Sequence, residues 1–189
     1  MSDKKSVNVV TLGCSKNLVD SERVLSMLTK AGFEAHHQTP EDTDIVIINT
    51  CGFIGDAKEE SVNTILEFCE AKKRGEIEQL YVMGCLSERY RDDLKTEIPE
   101  VDRYYGKFDW TGIVNDLTAA NGDKLAGTDR QPEDAARVVT TPSHHAYIKI
   151  SEGCNRFCAF CAIPLITGRH HSRPMEELSL IHISEPTRP

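Results

Sequence analysis

Three cysteines occur within eight consecutive positions in the second half of the chain. Cys154, Cys158 and Cys161 are separated by three and then two residues, a spacing at which thiolates bind zinc or an iron–sulfur cluster. A structural zinc ion needs a fourth ligand, and the candidates His170 and His171 begin nine residues after the last cysteine, outside the usual finger spacing. A four-iron cluster held by three thiolates keeps one iron open. An open metal position is typical of a catalytic site.

Three further cysteines each follow a short apolar run that is rich in β-branched residues. The runs are residues 7–12, 44–50 and 79–84, and the cysteines are Cys14, Cys51 and Cys85. Continuous apolar runs predict buried strands of a parallel sheet, whose carboxyl ends meet at the edge where ligands bind. Three thiolates gathered there repel one another, so we expect a positively charged metal centre to compensate them. The alternative is that all three are small buried hydrophobic residues, which is a common fate of a single cysteine.

The seventh cysteine provides a contrast. Cys69 lies at helical spacing from Val62 and Ile65 on the apolar stripe of a predicted helix, away from the strand ends. We therefore predict that Cys69 is a core residue and not a metal ligand.

The elements that must position these cysteines indicate an α/β fold with a parallel sheet. The three strands begin roughly every 35 residues, which is about the length of a βαβ unit. Helices are predicted at residues 17–32, 56–75, 87–98 and 109–120, and a further short strand at 101–106. The acidic stretch Asp20, Ser21 and Glu22 is interpreted as the first turn of the first helix.

A change in composition divides the chain into two domains. Residues 5–120 form the predicted N-terminal domain, and residues 121–145 are polar, without a helical or strand period, and are interpreted as a linker. Residues 146–151 alternate like a strand and lead straight into the second cysteine group, so a second domain is expected over 146–178.

Composition places the protein in the cytoplasm. No apolar run approaches the roughly 20 residues of a membrane span, and the first ten residues do not form a secretory signal. Seven cysteines in a reducing compartment favour metal binding or redox chemistry over disulfides. The net charge of -8 disfavours a bare nucleic-acid-binding surface and suits a basic protein partner.

The loop "SEGCNRFCAFCAIP" resembles the signature of the radical S-adenosylmethionine enzymes. The resemblance implies that Cys154, Cys158 and Cys161 hold a 4Fe–4S cluster whose open iron chelates S-adenosylmethionine and yields a 5′-deoxyadenosyl radical. It also implies that Phe160, just before the third cysteine, lies against the adenine, although ordinary packing is an equal alternative for this side chain.

Two cysteine trios on one chain resemble the methylthiotransferase family, over residues 7–178. The stretches "TLGCSKNLVDSE", "NTCGFIGDAKEES" and "VMGCLSERY" are similar to the RimO type of that family. The tRNA-modifying MiaB type usually has Gln-Met where this chain has Ser15-Lys16, and Val-Val-Pro where it has residues 162–164. RimO-type membership implies methylthio transfer to the β-carbon of an aspartate in ribosomal protein uS12.

The resemblance also implies a division of labour between two 4Fe–4S clusters. The cluster on the 154, 158 and 161 trio makes the radical, and an auxiliary cluster on Cys14, Cys51 and Cys85 carries the sulfur, which a second S-adenosylmethionine methylates. Two alternatives stay open: a tRNA methylthiotransferase of the MiaB type, and a zinc-stabilised module without catalysis. The electron donor is unassigned, and a monomer is expected.

The chain departs from that family at its C-terminal end. A radical-enzyme core resembles a partial TIM-type barrel, of which residues 146–178 supply only the first βα piece. Residues 179–189 resemble a translated adapter sequence and are interpreted as a non-native tail. We therefore expect this fragment to be inactive as a methylthiotransferase.

Overall fold

The computed structural model describes residues 5–39, 43–120 and 137–175. Its elements in chain order are β1 (Ser6–Thr11), α1 (Ser15–Lys30), β2 (Glu34–His37), β3 (Ile45–Thr50), α2 (Gly55–Lys73), β4 (Gln79–Gly84), α3 (Cys85–Glu97), β5 (Arg103–Tyr104), α4 (Trp110–Ala120), β6 (Ser151–Glu152), α5 (Ile163–Thr167) and β7 (His171–Ser172).

A five-stranded sheet in the order β2-β1-β3-β4-β5 organises the N-terminal half, and every pairing in it is parallel. This confirms the predicted parallel α/β fold. The continuous apolar runs are strands because helices cover both faces of the sheet, and all six residues of β3 are buried. The sequence did not reveal β2, which is a four-residue edge strand of largely polar composition.

Helices form a layer on each face of the sheet. One core joins α1 and α4 to the sheet and includes Val24, Leu28 and Ile113. The other joins α2 and α3 to the opposite face and includes Ile65 and Leu94. Both faces of the sheet are covered by these helices. The carboxyl edge of the sheet lies between the two helix layers, and it is the edge at which open parallel sheets bind ligands.

The second half has less regular structure. β6 pairs with β7 in an antiparallel ladder, and α5 lies against α3 of the first half. The expectation of a strand over residues 146–151 is wrong in extent, since only Ser151–Glu152 is a strand. Ile148 and Ile150 are 52% and 62% exposed, whereas Lys149 between them is buried in ion pairs with Asp20 of α1 and Glu152 of β6. The alternation of apolar and polar residues therefore places one buried lysine between two exposed isoleucines, and does not mark the buried face of a strand.

No helix in the described ranges is long and apolar enough to cross a membrane. Residues 121–136 of the predicted linker and residues 176–189, which include the predicted tail, lie outside the described residues.

Candidate metal centres

The first cysteine trio lies at the carboxyl edge of three neighbouring strands. Cys14 follows β1 and immediately precedes α1, Cys51 follows β3, and Cys85 is the first residue of α3 after β4. The parallel register pairs Thr50 with Gly84, so Cys51 and Cys85 are the next residues of adjacent strands. The strand order also reverses between β1 and β3, which is the point of such a sheet where ligands bind.

Close approach of two loops brings the Cys14 and Cys51 positions together. Gly13 has φ +88°, and a Cβ atom built on it would lie 2.8 Å from Cys51 Sγ. Only glycine permits both that backbone conformation and that approach. The backbone leading into Cys14 therefore passes directly against the thiol of Cys51.

A serine on α2 fixes the backbone of Cys51. The Cys51 N–H donates to Ser61 Oγ at 3.0 Å, and the Ser61 hydroxyl lies 3.1 Å from the Cys51 carbonyl oxygen. Ser61 is fully buried, so this contact holds the end of β3 to the helix behind it. Cys51 itself is buried, whereas Cys14 is exposed and Cys85 is intermediate. Solvent exposure of the three cysteines therefore increases from Cys51 through Cys85 to Cys14.

Electrostatic coupling shows that the three thiols share one environment. Burial raises the pKa of the Cys85 thiol, the neighbouring Lys107 ammonium opposes that shift, and the Cys51 and Cys14 thiols add to it. Burial alone would lower the pKa of Lys107, but the Asp20 carboxylate and the Cys85 thiol raise it above its ordinary value. Lys107 is therefore a buried cation beside the cysteines, held 3.0 Å from Asp20.

The donor set fits an iron–sulfur cluster. Within the described residues no group of three His, Cys, Asp or Glu side chains is arranged around a single metal ion. A cubane places each thiolate on a different iron, so its ligands surround a cluster and not one ion. Cys14, Cys51 and Cys85 follow three neighbouring strands beside the buried Lys107 ammonium, and thiolates are the donors that such a cluster takes.

The second cysteine trio lies in the loop between β6 and α5. Gly153 has φ +71°, and a Cβ there would overlap the Arg169 carbonyl oxygen, so glycine is needed for the loop to close. The Cys154 N–H donates to the Gly168 carbonyl at 3.1 Å, and the Cys161 N–H donates to the Cys158 carbonyl at 3.0 Å. These bonds fold the loop so that the segment before the first cysteine lies against the segment after α5.

Individual residues of this loop are open to ligands. The Arg156 backbone N–H lies 3.4 Å from Cys154 Sγ, where it can donate to a thiolate. Cys158 is exposed, and Phe160 is 94% exposed, so Phe160 packs in no core of the described residues. His171 is also exposed, and the His170 backbone N–H donates to Asn155 Oδ1.

A family comparison adds to this geometry. Residues 6–106, more than half of the chain, match the model of "Uncharacterized protein family UPF0004". The chain belongs to the UPF0004 family. The match covers the five-stranded sheet and the Cys14, Cys51 and Cys85 trio, so these cysteines lie within the UPF0004 part of the protein.

Curated relatives extend the match through the second cysteine trio. The chain is 58% identical over 177 residues to "Ribosomal protein uS12 methylthiotransferase RimO" of Porphyromonas gingivalis, 54% over 176 residues to that of Bacteroides fragilis, and 49% over 178 residues to that of Cytophaga hutchinsonii. These alignments cover 93–94% of the chain but 39% of each relative. They confirm the resemblance to the RimO type, and the chain spans about two fifths of the length of these relatives.

A solved structure shares the fold. The cobalamin-dependent S-adenosylmethionine radical enzyme OxsB matches with a TM-score of 0.50 and 12% identity, over 95% of this chain and 31% of that one. At this identity the likeness concerns the fold alone.

The acidic stretch of this UPF0004 chain is not the first turn of a helix, which corrects the interpretation from sequence. Asp20 is in the second turn of α1 and is buried between two lysines, with Lys107 Nζ at 3.0 Å and Lys149 Nζ at 2.6 Å. Lys149 also pairs with Glu152 in β6. Burial lowers the pKa of Lys149 to about 8, although the Asp20 carboxylate opposes that shift. Asp20 therefore links α1 to the segment that leads into the second cysteine loop.

Glu22 makes a parallel connection. Its carboxylate lies 2.9 Å from Arg137 Nε and accepts from the Thr140 backbone N–H at 2.7 Å and the Thr140 hydroxyl at 2.9 Å. Both charged side chains are buried, at 1% and 6% exposure. Residues 137–140 are thus attached to α1 although they fall in the stretch interpreted as a linker.

Sequence reasoning missed several residues that shape the first site. Asn17, Ser61 and Lys107 are all buried polar residues: Asn17 and Ser61 contact Cys85 and the Cys51 backbone, and Lys107 interacts electrostatically with Cys85. The only signal for Asn17 was its place in "TLGCSKN", three residues after Cys14 on the helix that the cysteine precedes. Ser61 and Lys107 reach the site through packing, which spacing along the chain does not encode.

Proposed function

We propose that this chain is the cluster-binding part of a radical S-adenosylmethionine methylthiotransferase of the RimO type. The observation that carries the proposal is the convergence of Cys14, Cys51 and Cys85 at adjoining strand ends in a chain that also has a C-x3-C-x2-C loop. The curated relatives are named as methylthiotransferases and match the chain through both trios, which supports the same function.

The two trios would hold one 4Fe–4S cluster each. Cys14, Cys51 and Cys85 are the ligands of the auxiliary cluster in this proposal, and the trio of the second loop holds the radical cluster. When bound, the clusters and S-adenosylmethionine supply the radical and sulfur chemistry, while the protein supplies position and shielding.

The chain's own residues have definite tasks in this scheme. Lys107 offsets the negative charge of the auxiliary thiolates from a buried position, held there by Asp20. The Arg156 backbone N–H stabilises the Cys154 sulfur as a thiolate. Phe160 presents an exposed ring beside Cys161, where the adenine of S-adenosylmethionine would lie. Asp20 and Glu22 attach the segment before the second cysteine loop to α1.

The proposed substrate is the β-carbon of an aspartate in ribosomal protein uS12. Three relatives carry uS12 in their names, and a net charge of -8 suits a basic ribosomal partner. The protein acts in the cytoplasm as a monomer in this proposal. We expect the 189-residue chain by itself to show no turnover, because it spans about two fifths of the length of those relatives.

A chimaera tests the proposal at the level of activity. Residues 5–175 would replace the matching segment of the Porphyromonas gingivalis relative, which is 58% identical. The anaerobically purified chimaera is assayed with uS12 and, separately, with tRNA, and products are read by mass spectrometry. We expect a methylthio group on uS12 and none on tRNA, and we expect the Cys14→Ala chimaera to be inactive.

The same assay separates the two competing functions. A product on tRNA would favour the MiaB type and contradict the uS12 assignment. A chimaera that binds zinc without sulfide would favour the non-catalytic module. The unaltered relative, purified in parallel, controls for cluster loss during handling.

A further inference from the structure

We propose that Asn17 is the positioning residue that fixes Cys14, Cys51 and Cys85 relative to one another. This inference rests on the proposed function, because it concerns the auxiliary cluster. It assigns the geometry of three separate loops to one buried side chain.

The amide nitrogen of Asn17 ties two of the loops together. Nδ2 donates to the Leu12 carbonyl at 2.9 Å and to the Thr50 carbonyl at 3.1 Å. Leu12 is two residues before Cys14, and Thr50 is directly before Cys51. An amide NH2 group has two hydrogens, and both are used here. The carboxyl ends of β1 and β3 are therefore clamped together at the point where the chain turns into each cysteine.

The amide oxygen of Asn17 faces the third loop. Two carbonyl acceptors identify the nitrogen end of the amide, so Oδ1 is the end that points to Cys85, with Sγ at 3.6 Å. The Cys85 thiol donates to this oxygen, so the amide contacts the third cysteine as well.

Asn17 is itself held rigidly. It is 1% exposed and is the third residue of α1, and its own carbonyl oxygen accepts from Asn49 Nδ2 at 2.8 Å. Asn49 also donates to Ser21 Oγ at 3.0 Å, so β3 is hydrogen-bonded to α1 at two residues. A side chain fixed in this way holds the backbone beside Cys14 and Cys51, and the Cys85 thiol, in place relative to α1.

The test uses the full chain with the second trio replaced, Cys154→Ala, Cys158→Ala and Cys161→Ala, so that only the auxiliary cluster can form. Asn17→Ala and the isosteric Asn17→Asp are made in this background. The matched controls are Asn8→Ala and Asn8→Asp. Asn8 is also a buried asparagine, with Nδ2 donating to the Thr39 carbonyl at 2.9 Å. It lies on β1 about 10 Å before the end of the strand, by the usual rise per residue.

Cluster affinity and electronic properties are then measured after anaerobic reconstitution with ferrous iron and sulfide. Chelator competition gives the affinity, and redox titration followed by electron paramagnetic resonance gives the reduction potential. We expect Asn17→Ala to weaken cluster binding about ten- to a hundredfold, the usual effect of losing a residue that orients metal ligands. We expect Asn17→Asp to shift the potential to more negative values, because it adds a negative charge beside Cys85. Both Asn8 variants should retain the affinity and the potential of the background chain.

Each outcome decides one point. If the Asn17 variants and the Asn8 variants lose affinity equally, or Asn17→Asp leaves the potential unchanged, the inference about Asn17 is overturned. If Asn17→Ala fails to fold by circular dichroism, the isosteric Asn17→Asp decides through its potential. If the background chain with Asn17 intact binds no cluster, the proposed function fails instead, so the two failures are distinguishable.

Discussion

The substitution Glu22→Gln removes one charge from a buried pair and leaves the shape of the side chain almost unchanged. Arg137, at 6% exposure and 2.9 Å from the carboxylate, then has a neutral partner. The two contacts from Thr140 to Glu22 Oε1 can persist, because the glutamine amide keeps one oxygen. The variant therefore isolates the ion pair that attaches residues 137–140 to α1.

The magnitude follows from the burial of the pair. Breaking a buried ion pair by neutralising one partner costs about 3–5 kcal/mol, because the remaining charge is left without compensation. Residues 137–152 do not belong to the five-stranded sheet, so we expect the loss to fall on the free energy of their local opening. At about 3 kcal/mol, amide exchange in this segment accelerates by roughly a hundredfold.

Hydrogen exchange read by mass spectrometry is the assay, with urea unfolding of the sheet followed in parallel. The matched control is Glu76→Gln, the same substitution in a glutamate–arginine pair that is 52% and 57% exposed. Because water already solvates that pair, we expect no measurable change in exchange or in the urea midpoint. Unaltered exchange of residues 137–152 in Glu22→Gln would refute the assignment of Glu22 as an anchor for this segment.

Three further predictions concern the first cysteine site. Gly13→Ala should reduce iron loading far more than Gly32→Ala. Both substitutions introduce about 1–2 kcal/mol of left-handed backbone strain, but only the new methyl group at position 13 would overlap Cys51. Equal iron content in the two variants would contradict the close approach of Gly13 to Cys51. Cys69→Ala should destabilise the fold in urea and leave iron content unchanged, since Cys69 lies in a hydrophobic core; a loss of iron would make it a ligand. Lys107→Met should shift the reduction potential of the auxiliary cluster to more negative values in a redox titration, and an unchanged potential would remove its electrostatic role.

The sheet and the placement of the cysteines were predictable because they depend on local signals. Continuous β-branched runs indicate buried parallel strands, and a residue that follows such a run must lie at the carboxyl edge. The sequence therefore led to Cys14, Cys51 and Cys85 at one edge of the sheet. The edge strand β2 gave no such signal, because its four residues are largely polar and pair with one neighbour only.

The buried charges were not predictable from sequence because their partners are remote. Thr140 is 118 residues from Glu22, and Lys149 is 129 residues from Asp20. Acidic residues near the start of a predicted helix are typical of its first turn, which is how the sequence was interpreted. The alternation of residues 146–151 was misinterpreted as a strand for the same reason. Lys149 is buried because it pairs with the remote Asp20 carboxylate on α1, and not because it faces the interior from a sheet.

Metal and sulfide analysis of the anaerobically reconstituted chain tests the central claim most directly. Two triple variants are compared with the unaltered chain, one with Cys14, Cys51 and Cys85 changed to alanine and one with Cys154, Cys158 and Cys161 changed to alanine. We predict about eight irons and eight sulfides in the unaltered chain and about four of each in either variant. Zinc without sulfide, or an iron content that the first triple substitution leaves unchanged, would contradict the account.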